Sequence, residues 1–172
     1  CIGLDSIQVQ VVPVPTVVIS PLNASVCAGS NVTLTATGAT NYTWLPSNGT
    51  NSLTVETPTA TSTYTVIGDN GGGCPNTTTV SVFAFSLPTI TAVTNPTVVC
   101  SGLGVTLTAN GGVNYTWSPI ASTLNPASDN PTITTTYTVD GTDANGCIGQ
   151  GTVSILVNAL PVLTLAASPA TI

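Results

Sequence analysis

The amino-acid sequence predicts an all-β fold of tandem antiparallel β-sandwich domains without helices. Landmark residues recur every 73 positions, among them Cys1, Cys74 and Cys147. Residues 15–87 placed on residues 88–160 without a gap are identical at 31 of 73 positions. A long, regular period of this kind is typical of an array of small domains. The 33 threonines among 172 residues, together with Val, Ile and Tyr, favour extended, half-buried surfaces, and no segment has apolar residues at helical spacing over three turns.

The period also predicts the domain organisation. Residues 15–87 form the first repeat and residues 88–160 form the second. Residues 1–14 match the end of the second repeat, so we expect them to be the last strand of a preceding, truncated repeat. Residues 161–172 match its beginning and are expected to be the first strand of a following repeat. The parent protein is therefore expected to be longer than this sequence.

Prolines and glycines divide the first repeat into short extended segments. Pro15 and Pro21 enclose a segment that suits an edge strand, Gly38 ends a run that alternates apolar and polar residues, and Pro58 separates two later segments. The sequence GDNGGG at residues 68–73 predicts a loop. Seven strands are expected between these breaks, at residues 16–20, 24–27, 32–36, 41–44, 53–55, 63–67 and 78–85. Seven short strands with frequent turn signals indicate a two-sheet sandwich.

The spacing of Trp and Tyr further indicates a sandwich of the immunoglobulin type. Such a domain places a Trp on strand C and a Tyr two residues before a Cys on strand F. Trp44 and Tyr64 take these positions here, while Ala36 and Val66 replace the two cysteines that join the sheets in immunoglobulins. The predicted core residues of the two repeats are Trp44, Trp117, Tyr64, Tyr137, Ala36, Val66, Ala109 and Val139. The two Tyr residues are candidates for a tyrosine corner, and the alternative for the two Trp residues is exposed stacking on sugars.

The composition excludes several classes of function. The chain has no Lys, Arg or His and six acidic residues, for a formal charge of −6. Nucleic-acid binding and polybasic contact with lipid both require cationic side chains. General bases are reduced to carboxylates and tyrosines, so we expect no enzymatic activity and no catalytic or cofactor-binding residues. No apolar run is long enough to insert into a membrane.

The five cysteines recur at fixed positions of the repeats, which favours disulfides and an extracellular or periplasmic protein. The sequence has no His and no CxxC spacing, which disfavours zinc. We expect Cys27 and Cys74 at opposite ends of the sandwich, too far apart to bond. This favours a Cys27–Cys147 bond across repeats, with Cys1, Cys74 and Cys100 pairing outside this sequence. The alternative, which requires a different strand order, has intrarepeat bonds Cys27–Cys74 and Cys100–Cys147.

The densest group of oxygen ligands lies beside one of these cysteines. Asp140, Asp143 and Asn145 form a weak candidate site for calcium. The competing interpretation is that Asp and Asn in turns bond to the backbone, and then no metal or cofactor is bound. Glu56 and Asp129 occupy equivalent positions in the two repeats and are interpreted as solvated loop charges.

Three strings of the sequence carry a family resemblance. These are VCAGSNVTLTA at 26–36, NYTWSP at 114–119 and TYTVDGTDANGC at 136–147. They resemble the tandem immunoglobulin-like repeats, related to PKD domains, of giant cell-surface adhesins of gliding Bacteroidota. The resemblance implies secretion by the type IX system, localisation at the cell surface, and a role in adhesion or gliding motility. Asp5-Ser6-Ile7 is similar to the pattern on which such bacteria place O-glycans, which implies that Ser6 is a glycosylation candidate.

The function expected from the sequence is structural. The chain is interpreted as a repeat segment of a long extracellular adhesin or surface filament that forms a stiff, disulfide-stabilised rod. Its expected partners are the neighbouring repeats and other copies in a filament. The alternatives are an immunoglobulin-like module that binds a glycan or a surface, and a spacer attached to a secreted enzyme.

Overall fold

A computed structural model describes residues 6–165 of the chain. The chain forms two compact units, Cys1–Ser86 and Leu87–Ile172. Each unit contains seven strands, and the described residues contain no helix. No part of residues 6–165 therefore offers a helix that could cross a membrane.

The strands of the first unit form two sheets. They are β1 (Val18–Ser20), β2 (Ala24–Cys27), β3 (Val32–Thr37), β4 (Asn41–Leu45), β5 (Leu53–Glu56), β6 (Ser62–Asp69) and β7 (Asn76–Phe85). One sheet has the order β1-β3-β5 and the other the order β2-β7-β6-β4. All neighbours are antiparallel except β2 and β7, which run parallel.

The second unit repeats this topology. Its strands are β8 (Thr91–Asn95), β9 (Val98–Cys100), β10 (Val105–Asn110), β11 (Asn114–Ser118), β12 (Ala127–Asp129), β13 (Thr135–Thr142) and β14 (Ile148–Asn158). The sheets have the orders β12-β10-β8 and β11-β13-β14-β9, and β9 and β14 are the parallel pair. In both units the sheets correspond to strands A-B-E and A′-G-F-C of an immunoglobulin-like sandwich. The predicted all-β, immunoglobulin-like fold is confirmed.

Alternation along the strands places one face of each sheet in the core. On β3 the side chains of Val32, Leu34 and Ala36 are buried, while Thr33 is exposed. On β6 the side chain of Tyr64 is buried, while that of its neighbour Thr63 is exposed. The core of the first unit therefore lies between the inner faces of its two sheets, and Leu107 and Ala109 repeat the arrangement in the second unit.

One glycine in each unit packs against the segment that leads into the first strand of that unit. Gly38 has a φ of 93°, and a Cβ at this position would lie 1.8 Å from the carbonyl oxygen of Thr16. Gly111 has a φ of 100°, and its Cβ would lie 2.1 Å from the carbonyl oxygen of Thr89. A side chain at either position would therefore collide with the backbone just before the first strand of the unit, so both positions require glycine.

The segments beyond the two repeats form no strand where they are described. Residues 6–14 and 161–165 belong to no strand. Residues 1–5 and 166–172 lie outside the described residues. The assignment of 1–14 and 161–172 to neighbouring repeats stays a prediction.

Candidate functional site

The parallel strand pair places one cysteine at the end of each unit. In the first unit Cys27 ends β2 and lies opposite Phe85, the last residue of β7. In the second unit Cys100 ends β9 and lies opposite Asn158, the last residue of β14. Cys27 and Cys100 therefore lie at the end of the sandwich where the last strand leaves the unit.

The other cysteine of each repeat precedes the last strand and lies at the opposite end. Cys74 comes two residues before Asn76, where β7 begins, and nine residues of extended strand separate Asn76 from Phe85. At 3.3 Å per residue this is about 30 Å, whereas a disulfide requires Cα atoms within about 7 Å. The intrarepeat pair Cys27–Cys74 cannot form in this fold.

The same spacing holds in the second unit. Cys147 precedes Ile148, the first residue of β14, and Cys100 lies opposite the last residue of that strand. In the structure Cys74 and Cys100 are exposed free thiols, so neither intrarepeat pair is formed.

Cys27 and Cys147 each take part in a disulfide. The pairing of Cys27 with Cys147 stays a prediction, and Cys1 lies outside the described residues.

The turns that carry Cys27 and Cys100 have the same hydrogen bonds. The Cys27 carbonyl accepts a bond from the Ser30 N–H at 2.9 Å, and the N–H of Gly29, with a φ of 81°, donates to the Pro58 carbonyl. In the second unit the Cys100 carbonyl accepts from the Leu103 N–H at 3.0 Å. There Gly102 has a φ of 82°, and its N–H donates to the Pro131 carbonyl. The two cysteines are therefore held in equivalent backbone geometry.

The loop before Cys147 is ordered by one carboxylate. Asp143 Oδ1 accepts hydrogen bonds from the N–H groups of Asn145 at 2.8 Å and Cys147 at 2.9 Å. Asp140 lies on β13 and accepts a bond from the Gln150 side chain at 2.9 Å. Two of the three candidate calcium ligands, Asp140 and Asp143, thus already accept hydrogen bonds from the protein. No cluster of three or more His, Cys, Asp or Glu suited to a metal is present in residues 6–165.

All eight predicted core residues are buried. Trp44 and Trp117 have no exposed surface at all, so neither can stack on a sugar. Trp44 Nε1 donates a hydrogen bond to the Asn51 carbonyl at 2.9 Å. The remaining six residues, Tyr64, Tyr137, Ala36, Val66, Ala109 and Val139, are each at most 5% exposed.

A Tyr–carboxylate contact replaces the solvated charge expected at Asp129. Asp129 is the last residue of β12, and its Oδ2 accepts a hydrogen bond from the Tyr137 hydroxyl. Burial raises the pKa of Tyr137, and the hydrogen bond to Asp129 and its negative charge raise that pKa further. Burial and the charge of Glu56 likewise raise the pKa of Tyr64 in the first unit. Glu56 and Asp129 are half-buried residues at the ends of β5 and β12, and they accept hydrogen bonds from Thr54 and Tyr137. The interpretation of both as solvated loop charges is therefore wrong; the signal was an acidic residue eight positions before the core Tyr in both repeats.

Exposed aromatic surface is limited. Phe83 on β7 is half exposed and is the one exposed aromatic residue in the part of the chain that the structure describes. It contacts Phe85 with an angle of 68° between the rings, so the pair does not form a flat platform. Ser6 is exposed, as a glycosylation candidate must be.

Comparisons with known proteins give fold similarity only. No protein-family model matches the chain, and no curated protein sequence is significantly similar to it. The structure is similar to the insect immune protein hemolin, with 16% identity and a TM-score of 0.40 over 85% of this chain and 47% of that chain. The chain thus spans about half the length of the hemolin chain.

Two further structures have the same kind of similarity. The ectodomain of mouse nectin-like molecule 4 has 13% identity and a TM-score of 0.35 over 88% of this chain and 66% of that chain. The structure of a 1.5-MDa bacterial ice-binding adhesin, solved to explain its retention on the host cell surface, has 16% identity and a TM-score of 0.38 over 84% of this chain and 65% of that chain. Identities and TM-scores this low carry no argument about function.

Proposed function

We propose that this chain is a structural repeat segment of a long extracellular adhesin or surface filament and that it resists tension. The observation that supports this most directly is the parallel pairing of β2 with β7 and of β9 with β14. In each unit one partner lies near the entry of the chain and the other is the strand from which the chain leaves. Tension applied through the chain therefore pulls these two strands in opposite directions along their length.

The direction of the force decides how the hydrogen bonds break. When two strands slide along their axes, the bonds between them are stretched together, whereas a hairpin that opens from its end loses them one at a time. Four residue pairs connect β2 and β7, and three connect β9 and β14. A bond from the N–H of Ala28 to the Phe85 carbonyl extends the first pair. Two bonds extend the second pair, from the N–H of Ser101 to the Asn158 carbonyl and from the N–H of Leu156 to the Thr97 carbonyl.

The composition and the cysteines are consistent with this role. The chain has no Lys, Arg or His for nucleic-acid binding or for general-base catalysis by those residues, and a non-enzymatic role follows as part of the proposal. Disulfides persist in oxidising compartments, which supports an extracellular location for a protein in which Cys27 and Cys147 are oxidised. We further propose that Cys27 and Cys147 bond to each other, so that consecutive repeats are linked by a disulfide as well as by the peptide chain.

Single-molecule force spectroscopy on the two-unit chain tests the role in tension. Ala28→Pro removes the N–H that donates to Phe85, and Ser101→Pro removes its counterpart in the second unit. Both residues precede a Gly with φ near 80° in a four-residue turn, a position that accepts Pro. In reducing buffer we expect each variant to lower the unfolding force of one unit and leave the other unchanged.

The matched control is Thr35→Ala, which changes an outward side chain of β3 without removing a backbone donor. This variant is expected to leave both unfolding forces at their original values. Unchanged forces in the two proline variants, measured at unchanged thermal midpoints, would show that the parallel pairs do not resist tension.

A further inference from the structure

We propose that Cys74 and Cys100 are complementary attachment points through which a second copy of this repeat array is joined by a disulfide. The bond would connect Cys100 of one copy to Cys74 of another. This inference deepens the proposed function, because it rests on the bond proposed between Cys27 and Cys147 and extends its chemistry to separate chains.

The first observation is that each free thiol has an oxidised counterpart in the other unit. Cys100 lies 73 positions after Cys27, and Cys147 lies 73 positions after Cys74. Cys27 and Cys147 take part in a disulfide, whereas Cys74 and Cys100 are free. Within residues 6–165, each of the two positions in the repeat therefore occurs once oxidised and once as a thiol.

The second observation is that the free thiols are accessible and that Cys100 is held in the geometry of its counterpart. Both Cys74 and Cys100 are exposed. The turn at Cys100 has the same hydrogen bonds as the turn at Cys27, including the bond from Gly102, or Gly29, to the carbonyl of a Pro. A unit that presents Cys100 therefore offers the same backbone that carries the oxidised cysteine in the first unit.

The chemistry requires an oxidant, for which a small-molecule disulfide such as oxidised glutathione is sufficient. The thiolate of Cys100 attacks one sulfur of glutathione disulfide and releases one reduced glutathione, which leaves a mixed disulfide on the protein. The thiolate of Cys74 from a second copy then attacks the Cys100 sulfur and releases a second reduced glutathione. Two thiols are oxidised and one glutathione disulfide is reduced to two thiols.

The two positions make the linkage directional. Cys74 and Cys100 belong to different repeat positions, so one chain carries one thiol of each kind in the described residues. Joining unlike positions leaves a free thiol of each kind at the ends of every product. The expected product is an open, head-to-tail series of chains, because a heterologous contact that does not close generates a filament.

The experiment uses the full chain with Cys1→Ser, because Cys1 has the same repeat position as Cys74. Oxidation with glutathione disulfide, followed by non-reducing electrophoresis, is expected to give a ladder of multimers. Cys74→Ser and Cys100→Ser should each abolish the ladder and remain monomeric. An equimolar mixture of these two variants should give a dimer and no larger species.

The outcomes separate the alternatives. Homodimers of either single variant at the yield of the mixed dimer would overturn the proposal, because they would show unselective oxidation of exposed thiols. Monomers in every sample would overturn it as well. The bond between Cys27 and Cys147 is read separately, by mass spectrometry of a non-reduced chymotryptic digest of the monomer, so its failure is distinguishable from the failure of the intermolecular link.

Discussion

The hydroxyl group of Tyr137 is the clearest case in which one side chain connects the two sheets of a unit. It lies on β13 in one sheet and donates to Asp129 on β12 in the other. Burial and Asp129 raise the pKa of this hydroxyl above its ordinary value. Because the folded state holds the proton more tightly than the unfolded state, the neutral Tyr stabilises the fold below pH about 10. This stabilisation decreases as the pH rises above that value.

The first prediction concerns Tyr137→Phe. We expect it to lower the free energy of unfolding at pH 7 by about 1 kcal/mol, because the hydrogen bond is lost. It should also reduce the decrease in stability above pH 10, and the remaining decrease comes from Tyr64, whose pKa is raised as well. Urea unfolding followed by circular dichroism between pH 7 and pH 11 measures both effects. Thr138→Ala on the same strand is the control, and an alkaline decrease equal to that of the original protein would contradict the prediction.

At the scale of strands, the two units use different groups to accept a hydrogen bond from equivalent backbone N–H groups. In the first unit the N–H of Ala36 on β3 donates to the backbone carbonyl of Ser52 at 2.6 Å. Asn125 is the equivalent of Ser52 in the second unit, and its side-chain amide both accepts from the Ala109 N–H and donates to the Ala109 carbonyl, each at 2.8 Å. The Asn side chain thus takes the place of a backbone residue at the end of the ladder between β10 and β12.

The second prediction follows from this difference. Asn125→Ala removes both hydrogen bonds and takes the Asn125 partner away from the backbone N–H and carbonyl of buried Ala109, so we expect the second unit to lose about 1–3 kcal/mol of stability. Ser52→Ala is the matched control and should change stability by less than about 0.5 kcal/mol, because its backbone carbonyl remains. Thermal unfolding of the two variants gives the comparison. Equal losses would show that the side chain of Asn125 does not replace the backbone bond.

The sequence was sufficient for the strands and the core but not for these contacts. Alternation along residues 32–36 and the period of 73 depend only on local pattern and repetition, and both identify elements that the structure contains. The pairing of β5 with β3 joins distant segments, and it was not predicted. The bond from Tyr137 to Asp129 connects two sheets. The side-chain amide of Asn125 donates to the Ala109 carbonyl beside Pro126, which has no backbone N–H to donate. Such contacts depend on three-dimensional proximity, which residue spacing does not reveal.

The candidate site was predictable to the extent that it depends on topology. An order of strands with Cys27 before β3 and Cys74 before β7 already separates the two cysteines by the length of a strand. The same order leads us to expect a bond between Cys27 and Cys147, with Cys74 and Cys100 pairing outside this sequence. In the structure Cys27 and Cys147 are oxidised and Cys74 and Cys100 are thiols. Cys74 and Cys147 have the same repeat position and differ in state, so the repeat position alone does not decide whether a cysteine is oxidised, and the pairing of Cys27 with Cys147 stays a prediction.

At the scale of the whole molecule, the charge distribution has one sign. The chain carries six carboxylates and no side-chain cation, so no salt bridge between side chains can offset their repulsion. The carboxylates of Asp129, Asp140 and Asp143 accept hydrogen bonds within the second unit, and Glu56 accepts one from Thr54 in the first unit. These bonds hold the carboxylates in place. Repulsion between the negative charges of the carboxylates disfavours the compact state.

The last prediction is that salt stabilises this protein. Raising NaCl from 10 mM to 150 mM shortens the screening length from about 30 Å to about 8 Å, so repulsion between exposed carboxylates falls and the thermal midpoint should rise by a few degrees at most. The double variant Asp69→Asn with Asp140→Asn removes two exposed or half-exposed charges, and its midpoint should respond less to salt. A midpoint that falls or stays constant as salt is added would contradict the prediction, because it would show that repulsion between the carboxylates does not limit the stability of this protein. Because the same repulsion acts between separate chains, salt should also permit the closer approach that the proposed bond between Cys74 and Cys100 requires.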